Sequence, residues 1–202
     1  MQVALDSLRA NLSRARALGG LFAALSQTTK PVLDLTDLLR AEVVLAVSAF
    51  DHFIHELARL GTLETFVGTR LPTPAYKRFE VSLEAVGLIL ANPANPTPLD
   101  QEVKLRHSWL TFQKPDKVAD ALRLVSEKII WEEVGARVGI PAGDVKARLS
   151  AIVDRRNQIA HEADLDPTDP TLQTRWPISP GDADGVVEFL EQIGTAIFEV
   201  VR

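Results

Sequence analysis

Apolar residues along this chain recur at steps of three and four, and the period-2 alternation of a half-buried strand is hard to find. A repeat near 3.6 gathers apolar side chains onto one face of a helix. The pattern therefore predicts an all-α fold, and a length of 202 residues suits one domain over 1–202. Leu39, Val43, Ala46, Phe50, Phe53 and Leu57, spaced 4-3-4-3-4, predict a long helix that opens at the Thr/Asp-rich residues 34–37 and stops at Gly61. Further helices are expected over about 2–26, 74–90, 115–131 and 142–163, with a short piece between 131 and 138 closed by Gly139. Val186, Leu190, Ile193, Ile197 and Val200 mark a last helix from about 182. Residues 92–98, NPANPTP, end the third helix because proline lacks an N–H and clashes with the preceding turn. Four prolines between 167 and 180 mark the longest irregular stretch.

Composition removes several functions. No cysteine is present, which excludes disulfides, thiolate zinc sites and a cysteine nucleophile. No run approaches the ~20 apolar residues of a membrane span, and the arginine-interleaved start does not read as a signal peptide, so a cytoplasmic protein with no membrane partner is expected. Gly19-Gly20 lacks the Lys-Ser/Thr of a P-loop, and no Gly-x-Ser-x-Gly elbow occurs. The net charge of −5 is uneven. Residues 162–202 carry nine acids against two arginines, leaving 1–161 with 20 basic and 18 acidic side chains, so a local phosphate site is allowed.

The helix over 142–163 carries the chemistry. Val145, Leu149, Ile152, Arg156, Ile159 and Ala163 fall at 4-3-4-3-4, which sets a guanidinium in an apolar stripe. An unpaired buried guanidinium costs several kcal/mol, so Arg156 is expected either to meet a carboxylate from a neighbouring helix or to open onto a polar cleft or subunit interface. Arg155 points about 100° away, toward the solvated flank. Asn157 and His161, four apart, share a face beside the stripe, where the amide can orient the imidazole. The structural reading of the same residues is an ion-pair arginine and a helix-ending histidine that complements the dipole.

Residues 156–161, Arg-Asn-Gln-Ile-Ala-His, resemble the active-site signature of the HEPN superfamily, and the wider segments VVLAVSAFDHFIHELARLG, LTFQKPDKVADALRLV and VDRRNQIAHEAD look like its RiboL-PSP-HEPN branch over about 35–166. The resemblance implies a HEPN-like helical bundle with an additional N-terminal and a C-terminal helix. It implies a metal-independent endoribonuclease of toxin–antitoxin or phage-defence systems, needing no cofactor, that acts on RNA as a homodimer with two motif copies facing each other. Arg156, Asn157 and His161 carry the family's catalytic positions. The chemistry is coherent: the ribose 2′-hydroxyl must lose a proton, the leaving 5′-oxygen must gain one, and the phosphorane charge must be held. One imidazole cannot easily fill both proton positions, and two copies can. Glu162, Asp164 and Asp166 are expected to raise the His161 pKa. The alternative is a non-catalytic HEPN module that binds RNA or a protein partner, as scaffold or immunity component of a defence operon; a cognate antitoxin is a further expected partner.

DHFIHE, residues 51–56, offers Asp51, His52, His55 and Glu56, but lacks the i,i+4 histidine pair of a zincin, so these acids are expected to support the site by pairing with Arg156, Asp51 first and Glu56 second. His107 reads as surface or core-edge. Trp109, Trp131 and Trp176 read as core, with Trp176 beside Arg175 the one candidate for base stacking.

Overall fold

The computed structural model describes residues 1–28, 33–171 and 173–202. Among these the chain forms eight α-helices and no strand: α1 (Gln2–Ser26), α2 (Thr36–Phe66), α3 (Leu83–Ala91), α4 (Thr97–His107), α5 (Pro115–Leu122), α6 (Ile130–Val138), α7 (Ala142–His161) and α8 (Pro180–Val201). A 3-10 turn spans Tyr76–Arg78, and an isolated antiparallel bridge joins Leu165 to Arg175. The all-helical bundle expected from periodicity is what forms. None of the described helices is long and apolar enough to cross a membrane.

The axis of the fold is α2, about 46 Å long at 1.5 Å per residue. It packs against α1, α4, α5, α7 and α8. Its 4-3-4-3-4 seam is wholly buried, as are Leu190, Ile193, Ile197 and Val200 of α8. Local signals set the helix ends. Ser179 Oγ accepts the Asp182 N–H while Asp182 Oδ2 accepts the Ser179 N–H, a reciprocal cap that starts α8 with Pro180 in its first turn. Gly139, at φ 70°, ends α6 in the left-handed conformation that glycine enters freely.

Three boundaries differ from the sequence expectation. Gly61 does not stop α2, which continues to Phe66. A Cβ at Gly61 would lie 2.5 Å from Val125 Cγ1, so the glycine serves a close approach between segments. The expected helix over 74–90 is a 3-10 turn and then α3, restarted where Ser82 Oγ accepts the Ala85 N–H. The expected helix over 115–131 ends at Leu122 and restarts at Ile130. There Thr73 Oγ1 donates to the Arg123 and Leu124 carbonyls and Arg70 to that of Val125, partners that take the place of further helical bonds. Trp131 then folds back to donate from Nε1 to the Pro115 carbonyl at 2.9 Å.

Among the described residues, Glu42 and Thr62 in the core break the rule that buried polar groups are paired, Glu42 with both its oxygens. Glu42 is fully buried where α2 meets α1, and neither carboxyl oxygen has a hydrogen-bond partner. Gly19 makes room for it, since a Cβ there would come within 2.5 Å of Glu42 Oε2. Burial, reinforced by Asp184, pushes its pKa up to about 7, with Arg16 opposing.

Candidate functional site

The stripe of α7 fades toward its C-terminus. Val145, Leu149 and Ile152 are buried, Arg156 and Ile159 are half-buried, and Ala163 beyond the helix end is exposed. Arg156 is thus anchored by its stem, with Nε enclosed and bonded to nothing, and it makes no ion pair among the described residues. Of the two outcomes open to it, a carboxylate partner or an opening toward a cleft or interface, the first does not occur.

The expected acids are engaged elsewhere. Asp51 accepts the Phe112 N–H at 2.6 Å and the Gln113 amide at 3.1 Å, fastening the loop before α5 onto α2. Glu56 receives two bonds from Arg59, at 2.9 and 2.6 Å, which hold its carboxyl below the usual range against the opposing effect of burial. Neither pairs with Arg156, because both lie on the α4–α5 side of α2.

Arg155 is not solvated as expected but belongs to a buried charge knot. After His161 the chain reverses through Ala163 and Asp164, at φ 53° and 59°, and the Asp164 N–H closes back on the Gln158 carbonyl at 3.1 Å. This turn delivers Asp164, fully buried, onto two guanidinia. Its Oδ2 accepts from Arg40 Nε at 2.6 Å and from Arg155 Nη2 at 3.0 Å. Its Oδ1 lies 2.6 Å from Arg155 Nη1, a charge contact poorly aligned for a hydrogen bond. Arg40 also donates to Thr36 Oγ1 at 2.5 Å and to the Trp176 carbonyl at 2.9 Å. The knot ties α2, α7 and the loop before α8 together. Sequence reasoning missed Arg40; the available signal was an arginine directly after Leu39 in an otherwise apolar seam.

His161 closes α7 and is exposed, and Asn157 is half-buried one turn earlier. Among the described residues no hydrogen bond joins the two. Asp164, turned inward onto Arg40 and Arg155, is not free to act on His161, and Asp166 Oδ1 is occupied by the N–H and hydroxyl of Thr168. Beside the end of α7 lies an open groove of about 470 Å³, lined by Ala41, Val44 and Leu45 of α2, Ile159 and Ala160 of α7, and Ala163. Asp37, Arg40 and Arg175 form its polar rim, with Arg175 paired to Asp37. Leu45 is 47% exposed there. The arrangement offers an uncommitted guanidinium and an accessible imidazole on one helix end, next to an apolar trough.

No group of three or more histidines and acids able to hold a metal occurs among the described residues. Trp131 is core as expected, whereas Trp109 is 69% exposed and Trp176 37%. No family model, curated protein or solved structure matches the chain.

Proposed function

We propose that the protein is a HEPN-like, metal-independent endoribonuclease that works as a homodimer in the cytoplasm. The observation that carries this reading is Arg156: a half-buried guanidinium with no carboxylate partner among the described residues, on the helix that also presents His161. Such a cation has a standing need for an anion, and a phosphodiester supplies one through the guanidinium's planar fork.

Arg156 holds the non-bridging oxygens and takes up the charge that develops on the phosphorane. His161 removes the 2′-hydroxyl proton, and the partner copy's imidazole protonates the 5′-oxygen as the P–O bond breaks, leaving a 2′,3′-cyclic phosphate and a 5′-hydroxyl. Asn157 positions the imidazole. The groove beside α7 supports the dimer, since Leu45, Val44, Ile159 and Ala160 give an apolar surface on which a second copy can seat.

The test is incubation of pure protein with single-stranded RNA and with DNA of the same sequence, in excess EDTA. Cleavage of RNA alone, with cyclic-phosphate ends, is expected. Equal cutting of DNA, or activity that disappears with EDTA, overturns the mechanism. RNA bound and left intact selects the non-catalytic RNA-binding module.

A further inference from the structure

A second cleft opens further along α2, about 340 Å³ in volume, between α2 and α4. Asp51, His52, His55, Glu56 and Arg59 line one wall, and Val103, Lys104, His107, Ser108 and Leu110 the other. Most of its charge is already committed. Arg59 donates to Glu56 and to Asp100, Lys104 donates to Asp100, and Asp51 holds the Phe112 and Gln113 amides. No excess positive charge is left to hold a phosphate.

What remains without a hydrogen bond among the described residues is the cleft's imidazoles, of which His52 is exposed and His55 Nε2 lies 3.8 Å from Asp51 Oδ1. His107 is 7% exposed, yet its ring makes no hydrogen bond among the described residues. It stands edge-on to Phe112 at 5.2 Å and to Phe79 at 6.3 Å, with His55 6.0 Å away and itself 4.4 Å from Phe112. Burial, with His55 nearby, lowers the His107 pKa to about 4, so at neutral pH its ring is uncharged and offers one donor and one acceptor. Ser108 Oγ donates to the Leu105 carbonyl, which leaves its lone pairs free to accept. The protein leaves these groups unclaimed, so they are open to a ligand entering the cleft.

We infer that this cleft is a binding site for one nucleobase, held by the edges of His107 and His55 and by the apolar side chains of Val103 and Leu110. A flat heterocycle with mixed donors and acceptors matches a cleft whose charged side chains are already engaged and whose free polar edges are imidazole better than any ion does.

The α2 residues that line this cleft and the groove beside α7 share one stripe of the helix. Ala41, Leu45, Ser48, His52, His55 and Arg59 fall at 4-3-4-3-4 and are all at least partly exposed. From Leu45 to His52 is two turns, about 10 Å. A strand with its phosphate at Arg156 can therefore set a neighbouring base in the cleft, a link that rests on the ribonuclease reading; base binding itself does not.

With four histidines in the chain, their ring proton signals can be followed one by one in NMR titrations. Uncharged nucleosides are expected to shift His55 and His107 saturably and to leave His161 in place, with His107→Phe weakening binding about tenfold or more through the lost hydrogen bonds. His55→Phe, at a less buried position, gives the same readout should the first variant fold poorly. Displacement by a short single-stranded RNA assigns the base to a strand, and displacement by a mononucleotide alone assigns it to a free nucleotide; either keeps the site. Inorganic phosphate moving the same two signals, no response to any of the common nucleosides, or unchanged affinity in both variants overturns it. Nucleoside binding without RNA cleavage overturns only the ribonuclease reading.

Discussion

Arg155 and Arg156 sit side by side near the end of α7, yet the first is held by Asp164 and two loop carbonyls while the second has no counter-ion among the described residues. The same side chain thus serves two ends. Charge that the fold neutralises ties segments together, and charge that it leaves open is available to something outside the fold. The contrast makes stability and activity separable, one arginine at a time.

The largest expected effect is at the neutralised end. Asp164→Ala strips the buried carboxylate from between Arg40 and Arg155, and breaking a buried pair by removing one partner costs about 3–5 kcal/mol. Urea unfolding should show that loss, with Asp164→Asn between the variant and wild type because the amide oxygen still accepts one bond. A change under about 1 kcal/mol would mean that the knot is solvated and that the two arginines differ less than their geometry says.

Arg156→Ala should cost far less, about 1 kcal/mol or under, since no buried carboxylate is orphaned and only stem packing is lost. RNA cleavage should vanish in the same protein. A melting temperature falling as far as that of Asp164→Ala would instead make Arg156 structural. Arg156→Lys sharpens the point: it keeps the charge, loses the fork, and should retain folding with little activity.

The unequal legibility of the two arginines has a physical cause. Apolar periodicity is local, so the seams of α2 and α8 and the span of α7 can be read from spacing. The α5–α6 break cannot, because Thr73 and Arg70, some 50 residues upstream, supply the groups that hold the freed carbonyls. Asp164 was equally hidden: it reaches Arg155 through two left-handed non-glycine residues, a turn that no glycine announces. The motif 156–161 was visible as a pattern, but its partners were not. Asp51 and Glu56 look available in sequence and are claimed by Phe112 and Arg59.

Glu42 extends the comparison to carboxylates, being as buried as Asp164 but without a partner. Its folded pKa, about 7, lies above the ordinary 4.5, so the folded state favours the protonated acid. The resulting stability is fully present below about 4.5 and is lost as pH rises through 7. Melting temperature should therefore fall as pH rises from about 4.5 to about 7, and Glu42→Gln should flatten that slope by staying neutral throughout. An unchanged slope in the variant would assign the pH dependence to other groups.

The smallest expected effect on stability belongs to His161→Ala. The imidazole is exposed at the end of α7 and touches no hydrogen-bond partner among the described residues, so its removal should shift unfolding by no more than about 0.5 kcal/mol, the ordinary range for a surface change, apart from a slight loss of favourable dipole interaction. Cleavage of RNA should nonetheless disappear, because no other histidine lies on α7 to take the proton. The variant should still bind RNA, with affinity falling as salt rises, since Arg156 remains to meet a phosphate. A stable His161→Ala protein that cuts RNA at the wild-type rate would leave Arg156 without a catalytic companion and would return the site to an anion-binding role.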